Sequence, residues 1–344
     1  MTPKLDSFLR AMPKVELHVH LEGAIEPATL LALAKKNNVK LPANSVEGLR
    51  DWYRFTDFNH FVDVYLTVSS CLASLDDVEL IAREFLAGQA RQNVRHTEFT
   101  YTAWNHYARA GWSFDDQLSA LNAARAWAAH ELRITSGIVI DIPRIVPAED
   151  GVMVADWAIS GMGNGVVALG LGGPEVGNPA ERYVEAFDRA WDAGLPSVPH
   201  AGETAGPEYI WGALRSLRAQ RIGHGVHCID DRYLVEELVR RHIPLEVCPT
   251  SNVCVGGVAT LAEHPLPRLM REGLVVTLNS DDPPMFNTSL TDEYLACAKT
   301  FGFKAEDFER LALNAAEASL LTPAKRVALA DEIKDGCAKL RARG

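Results

Sequence analysis

Eight short apolar segments rich in β-forming residues recur along this 344-residue chain, and amphipathic helical stretches separate most of them. Apolar segments of this kind predict strands that are covered on both faces, as in a parallel sheet. Parallel strands need a crossover connection long enough for a helix. The predicted strands cover residues 15–20, 94–100, 133–140, 166–171, 197–200, 221–225, 245–249 and 275–280.

This order favours an α/β fold of the (β/α)8 (TIM) barrel type, with a doubly wound open sheet as the alternative. Helices predicted at 179–193, 208–219, 232–242 and 261–272 each fall between two strands. Residues from about 305 onward predict C-terminal helices that close the bottom or the side of the barrel. We expect residues 1–344 to form a single domain.

The interval 21–93 is too long for one crossover helix and predicts a helical cap inserted after strand 1. Within it Phe58, Phe61, Tyr65 and Leu66 recur at helical spacing, and Asp57 is placed to cap the helix start. The apolar stripe has two interpretations: it packs on the barrel, or it forms one wall of a ligand pocket.

Composition narrows the class of protein. The apolar fraction of 47% and the charged fraction of 23% are typical of a globular protein. A net charge of -11 argues against a nucleic-acid partner.

The apolar stretch 151–173 contains Asp156, Asn164 and seven glycines, so we predict a helix, a turn and a strand there and no membrane span. Six scattered cysteines and no secretory apolar segment are typical of a cytoplasmic protein.

Chemically informative side chains stand at the C-terminal ends of four predicted strands, which meet at one mouth of a barrel. Each has an ordinary structural interpretation, such as a hydrogen-bonded histidine or a turn before a proline. Taken together, three histidines and one aspartate are suited to a mononuclear zinc site with room for water. The residues are His18 and His20 on the first strand, His200 and Glu203 after the fifth, His224 on the sixth, and Asp281 and Asp282 after the eighth.

The segments HVHLEGA, HAGE, RIGHG and NSDDP, in this order across nearly the whole chain, resemble the motifs of the adenosine deaminase family within the amidohydrolase superfamily. LGGPE at 171–175 and CPTSN at 248–252 extend the resemblance. It implies one zinc ion per chain with His18, His20, His200 and Asp281 as ligands. Binuclear members of the superfamily use a strand-4 lysine to bridge two metals, and VVALGLGG has none.

The same resemblance implies hydrolytic deamination of a 6-aminopurine to the 6-oxopurine, with release of ammonia. Glu203 would shuttle a proton at purine N1, and His224 would orient the attacking hydroxide. Asp282 would pair with N7, and the backbone N–H of Gly173 would donate to N3. Attack at C6 disrupts the aromatic ring, so the ring must gain a proton at N1 as the nucleophile arrives. Glu22 would lie at the rim, facing the sugar.

The substrate is less narrowly specified. Adenosine deaminases usually have an aspartate at the position of Glu22. A glutamate there resembles the sequences of the branch that acts on free adenine, and so do the segments SDDP and GPEYIW at 206–211. That branch usually carries an aspartate where this chain has Gly223, and we expect the glycine to open room there. The sequence favours adenosine or a sugar-modified adenine nucleoside such as 6-amino-6-deoxyfutalosine, with free adenine as the alternative. Another metal-dependent hydrolase or a non-catalytic family member is less favoured, because all seven expected positions are filled.

Overall fold

Eight parallel strands pair in chain order from β1 to β8 in the computed structural model, which describes residues 1–342. The ring closes where Val19, after β1, pairs in parallel with Asp281, after β8. The predicted (β/α)8 barrel is therefore confirmed, and the open doubly wound sheet is excluded. The strands are β1 Lys14–Glu16, β2 Val94–Tyr101, β3 Thr135–Pro143, β4 Val166–Gly172, β5 Ser197–Ala201, β6 Ile222–His224, β7 Leu245–Val247 and β8 Val276–Leu278.

Helices surround this barrel and cover its outer face. They are α1 Pro3–Ala11, α2 Pro27–Lys36, α3 Val46–Trp52, α4 Phe58–Ser70, α5 Leu75–Arg91, α6 Ala103–Ala110, α7 Phe114–Glu131, α8 Ala148–Ser160, α9 Val184–Asp192, α10 Pro207–Ser216, α11 Arg232–Arg241, α12 Pro249–Cys254, α13 Leu266–Arg271, α14 Leu290–Phe301, α15 Ala305–Ala318 and α16 Pro323–Ala342. Short 3-10 segments lie at Glu22–Ala24, Ala180–Tyr183, Val226–Asp230 and Leu261–Glu263. One continuous apolar core joins the strands to the inner faces of most helices.

The inserted segment after β1 is helical, as predicted. Asp57 caps α4, because its Oδ1 accepts the backbone N–H of His60 over 2.9 Å. Helix α4 buries Val64 and Val68, while its Phe61 and Tyr65 side borders a cavity at the barrel mouth. Helix α5 instead packs against β2 and α7. The last part of the predicted 21–93 insertion therefore belongs to the outer ring of the barrel.

Two predicted helices are interrupted. The one predicted at 261–272 divides into a 3-10 turn and α13, because Pro265 has no backbone N–H to continue the first turn. The one predicted at 179–193 begins as a 3-10 turn before α9. Strand β3 runs on to Pro143, three residues beyond its predicted end, whereas β1 ends at Glu16, four residues early.

The C-terminal helices pack where the sequence places them. Helix α15 contacts β1 and β8, and α16 contacts α15 and α1. All six cysteines are free, and five of them are buried. Over residues 1–342, no helix combines the length and the apolar character that crossing a membrane requires.

Candidate active site

The seam that closes the barrel is built from backbone groups of the predicted metal ligands. The N–H of His20 donates to the carbonyl of Asp281 over 2.8 Å, and the N–H of Asp281 donates to the carbonyl of His18 over 3.1 Å. Parallel pairing thus brings together residues from the two ends of the chain. Asp281 takes a left-handed φ of 65°, which a non-glycine residue adopts at a cost and which is common at functional sites.

Four buried side chains converge just beyond this seam: His18, His20, His200 and Asp281 each place one ligand atom within 4.8 Å of the others. Nε2 of His20 lies 3.1 Å from Nε2 of His200, and Oδ1 of Asp281 lies 3.4 Å from Nε2 of both His18 and His20. A tetrahedral zinc ion with bonds of about 2.0–2.1 Å separates its ligand atoms by roughly 3.3–3.4 Å. The spacing therefore suits one metal ion.

Hydrogen bonds on the far side of the rings turn the Nε2 lone pairs toward the cluster. Nδ1 of His18 donates to Oε2 of Glu246 over 2.9 Å, and Nδ1 of His200 donates to the carbonyl of Leu171 over 2.9 Å. Nε2 of His18 is buried and makes no hydrogen bond within residues 1–342. A histidine that donates its other N–H to a carboxylate or a carbonyl is the usual arrangement of a metal ligand. The donor set thus fits a divalent metal.

Electrostatics favours the metal-binding forms of two of these side chains, His200 and Asp281. Burial and the charges of His18 and His20 hold the pKa of His200 well below its ordinary value, which favours the neutral imidazole. Burial opposes ionisation of Asp281, but its 3.4 Å contact with Nε2 of His18 and the charges of the surrounding histidines hold its pKa well below the usual range. Oγ of Ser251 also donates to Oδ2 of Asp281 over 2.6 Å.

A second grouping, His224, Cys248 and Asp281, is less suited to a metal. A cysteine binds metal as the thiolate. Burial raises the pKa of Cys248 well above its ordinary value, and its thiol donates to the carbonyl of Glu246 over 3.5 Å. The cluster of three histidines and Asp281 is therefore the better candidate.

Glu203 and His224 lie beside the cluster. Oε1 of Glu203 is 3.7 Å from Nε2 of His224, which is itself 3.8 Å from Oδ2 of Asp281. Burial, followed by the charges of Asp281 and Glu175, raises the pKa of Glu203 well above the usual carboxyl range. Glu203 can therefore hold a proton at neutral pH, as a general acid must.

The loop that carries Glu203 is held by Glu175, whose role the sequence did not indicate although it ends the LGGPE segment. The buried Glu175 carboxylate accepts four successive backbone N–H groups, at 2.7 Å from Gly202, 3.0 Å from Glu203, 2.8 Å from Thr204 and 2.9 Å from Ala205. A carboxylate bonded in this way fixes the loop backbone.

Asp282 is a second buried carboxyl group with a raised pKa. Burial and the charge of Asp281 raise the pKa of Asp282 well above its ordinary value, and its buried Oδ1 has no partner within the described residues. A Cβ atom added at Gly23 would lie 1.7 Å from that oxygen, so only glycine fits there. Because purine N7 is an acceptor, a protonated Asp282 is the form that could pair with it.

His20, His200, Glu203, His224, Asp281 and Asp282 form the floor of a cavity at the mouth of the barrel. Gly173 borders one side with a φ of 97°, a conformation that favours glycine. The outer wall is apolar, and two of its side chains are substantially exposed, Leu66 at 39% and Ile145 at 57%. That wall comprises Phe58, Phe61, Val62, Tyr65, Leu66, Pro143 and Ile145.

Glu22 does not lie at the rim, where the sequence placed it. Its carboxylate is fully buried. Oε1 accepts the backbone N–H of Thr102 over 3.1 Å and Nε2–H of His106 over 3.2 Å, and Oε2 accepts the Tyr65 hydroxyl over 3.2 Å. Tyr65 and Thr102 border the cavity in its place. Glu22 can therefore act on a ligand only through these neighbours.

Gly223 does not open space in the cavity, and that expectation is wrong. A Cβ atom at this position would lie 2.8 Å from Cε1 of His18 and 3.2 Å from Cα of His200. The absent side chain thus makes room for the His18 ring and not for a substrate.

Asp141 borders the cavity and was missed by the sequence analysis, because the predicted third strand ended one residue before it. Its Oδ1 is buried without a partner in the described part of the chain, and burial raises the pKa of Asp141 to about 7. The strand-end pattern that identified the other site residues would have found it with a correct boundary.

Comparisons with known proteins agree with this geometry. The adenosine deaminase family model matches residues 13–336. The chain is 42% identical over 332 residues to an aminodeoxyfutalosine deaminase of Streptomyces coelicolor, covering 96% of this chain and 85% of that one. It is 36% identical over 322 residues to an adenine deaminase of Chlorobium phaeobacteroides, covering 94% and 96%.

Solved structures are similar over the same length. An adenine deaminase from Arthrobacter aurescens superposes with a TM-score of 0.90 at 33% identity, over 94% of this chain and 99% of that one. An amidohydrolase from Burkholderia ambifaria, solved with bound zinc, gives 0.91 at 25% identity, over 99% and 96%.

The barrel carries a His-x-His pair at the first strand and further candidate metal ligands after the fifth and eighth, which is the arrangement of an amidohydrolase. Within that superfamily the chain belongs to the adenosine deaminase family.

Proposed function

We propose that this protein catalyses zinc-dependent hydrolytic deamination of a 6-aminopurine, and that its substrate is an adenine nucleoside modified on the sugar, such as 6-amino-6-deoxyfutalosine. The observation that carries the reaction is the position of Glu203, whose buried carboxyl group lies beside the cluster of His18, His20, His200 and Asp281 and has a raised pKa. Deamination at C6 needs a proton donor and an activated water within one pocket, and this floor has groups for both. We also propose that residues 1–344 act as one catalytic domain.

The chain's own groups have distinct roles in this scheme. Glu203 donates its proton to N1 as water adds to C6, and its carboxylate takes one proton from the added water. It passes that proton to the amino nitrogen, which leaves as ammonia when the C6–N bond breaks, and the remaining hydroxyl proton returns to Glu203 as the 6-oxo group forms. Asp282 donates to N7, and the Gly173 N–H donates to N3. A zinc ion would be held by His18, His20, His200 and Asp281, and it would lower the pKa of a water toward about 7.

The choice of a sugar-modified nucleoside is supported by the apolar outer wall. Adenine would be held by the floor alone, whereas a substituent on the sugar would project toward Phe58, Leu66 and Ile145, which are partly exposed in this structure. Covering such apolar surface with ligand is favourable. Sequence identity also supports a sugar-modified substrate. Two aminodeoxyfutalosine deaminases are 42% identical to this chain, whereas the adenine deaminases are 35–36% identical.

An ultraviolet absorbance assay tests the proposal, because conversion of the 6-amino to the 6-oxo base shifts the spectrum. Zinc-loaded enzyme would be given adenine, adenosine, 2′-deoxyadenosine and 6-amino-6-deoxyfutalosine under identical conditions. We expect kcat/KM to be highest for the substituted nucleoside. Failure to deaminate any 6-aminopurine would refute the proposed activity.

Deamination of free adenine is the second candidate, favoured by the similarity to the adenine deaminases. Efficient turnover of adenine, with none of the nucleosides reacting, would establish it and reject the sugar-modified substrate. The roles proposed for the floor residues are the same in both cases.

A further inference from the structure

Three buried polar groups form a chain of hydrogen bonds that ends on His224. The backbone N–H of Leu266 donates to Nδ1 of His264 over 3.0 Å. Nε2 of His264 lies 3.2 Å from Oδ1 of Asn252, and Nδ2 of Asn252 lies 3.1 Å from Nδ1 of His224. His264, Asn252 and His224 are each at most 3% exposed, so little solvent competes for these bonds.

The direction of every bond in this chain follows from its first member. A backbone N–H can only donate, so Nδ1 of His264 is the acceptor and carries no proton. Neutral His264 then has its proton on Nε2 and donates to Asn252, which must offer its carbonyl oxygen. The amide NH2 of Asn252 consequently faces Nδ1 of His224 and donates to it. The orientation of the amide is thus dictated by its neighbours.

We propose that His264 and Asn252 are positioning residues that fix His224 as its Nε2–H tautomer, so that His224 presents a hydrogen-bond donor to the reacting oxygen. Nε2 of His224 is buried, makes no hydrogen bond within residues 1–342, and faces Glu203 and Asp281 at 3.7 and 3.8 Å. Burial lowers the pKa of His264 to about 3, in keeping with a neutral ring.

The assignment has a chemical consequence that rests on the proposed deamination. A neutral His224 with its proton already on Nε2 cannot accept a proton there. It instead donates a hydrogen bond that orients the attacking oxygen and stabilises the negative charge on it during attack at C6. Proton transfer is then left to Glu203. His18 and His200 are held in the opposite tautomer, with Nδ1 as the donor.

The tautomer can be measured directly and without substrate. Zinc-loaded protein labelled with 15N-histidine would be analysed by two-bond 1H–15N correlation, with signals assigned by single substitutions including His264→Gln. We expect protonated Nε2 and acceptor Nδ1 in His224 and His264, and protonated Nδ1 in His18 and His200. A His224 signal with protonated Nδ1 would overturn the proposal.

An isosteric substitution tests the consequence for catalysis. Asn252→Asp replaces the donor toward His224 with an acceptor, which favours a proton on Nδ1. In a Ser-His-Asp triad, a single amide-for-carboxylate exchange that traps the wrong tautomer lowers kcat by on the order of 10⁴. We expect Asn252→Asp to retain one zinc per chain and to lose at least about 10² in kcat, and its His224 to show protonated Nδ1. Asn122→Asp is the matched control, because Asn122 is half-buried on α7 and does not border the cavity.

His264 supplies the conservative comparison. His264→Gln keeps an amide donor toward Asn252, whereas His264→Phe keeps none, so the glutamine variant should retain more activity. In an Asn252→Asp background, His264→Phe should cause little further loss of turnover, because the effects of substitutions within one hydrogen-bond network are not additive. Wild-type turnover in His264→Phe would overturn the proposal. If the wild type deaminated nothing but showed the expected tautomers, the proposed function would fail while the tautomer assignment stood.

Discussion

The backbone N–H of Glu203 donates to the side-chain carboxylate of Glu175 over 3.0 Å, so one glutamate holds the other in place. Three neighbouring backbone N–H groups bond to the same carboxylate. Glu175→Ala should lower the free energy of unfolding by roughly 1–3 kcal/mol, because buried donors are left unsatisfied. It should also lower kcat by displacing Glu203. Thermal unfolding and steady-state kinetics check this, with the exposed Glu181→Ala as control.

Glu203→Gln should leave the metal content unchanged and reduce kcat by on the order of 10² or more, because it removes proton transfer and not a ligand. The exposed Glu208→Gln on α10 is the matched control. Near wild-type turnover in Glu203→Gln would show that the shuttle is assigned to the wrong residue.

His200→Ala should lose both metal and activity, since it removes one of the four convergent ligand atoms. Metal analysis of purified protein should give close to one zinc per chain, and zinc should restore activity after chelation. Two tightly held metals per chain, or full activity after exhaustive chelation, would contradict the mononuclear site.

Leu66→Ala and Ile145→Ala should lower kcat/KM for a nucleoside with an apolar sugar substituent, and leave that for adenine within about twofold. Each removes three carbons, and burial of one to three of them by the ligand at about 0.8 kcal/mol per CH₂ corresponds to a loss of roughly 4- to 60-fold. Both side chains are partly exposed, so the fold should tolerate the changes. Equal losses for adenine and the nucleoside would place the substituent elsewhere.

We expect KM for the nucleoside to depend on pH, because Asp141 borders the cavity and has a raised pKa. Burial raises its pKa to about 7, so the carboxyl group is protonated at pH 6 and ionised at pH 8. A sugar hydroxyl donates more strongly to the ionised form, so KM should fall as pH rises between these values. Asp141→Asn should flatten this dependence, whereas the exposed Asp156→Asn should not. An unchanged profile in Asp141→Asn would rule out this carboxylate.

The sequence predicted the barrel and the convergent residues because both depend on local patterns. Apolar segments mark the strands, and the strand ends of a barrel share one mouth, so His18 and Asp281 could be placed together from opposite ends of the chain. Their family resemblance is confirmed. The functional roles of the individual site residues stay predictions.

The errors arose where a contact distant in sequence decides the outcome. Glu22 is buried below the rim because its carboxylate accepts hydrogen bonds from Thr102, His106 and Tyr65. These residues lie 43 to 84 positions away in the sequence. Gly223 is required by the His18 ring, which only the closed barrel brings beside it. Strand boundaries such as the end of β3 depend on pairing with β4 and not on the propensity of single residues.

The floor and the outer wall of the cavity come from different parts of the chain. The predicted metal ligands lie at strand ends and in the seam of the barrel, whereas much of the wall belongs to α4 of the insertion. A family built in this way can exchange its insertion and acquire a new substrate while the chemistry beneath is inherited intact. For protein engineering, residues 58–66 are therefore the segment to randomise when a new nucleoside is to be accepted without rebuilding the catalyst.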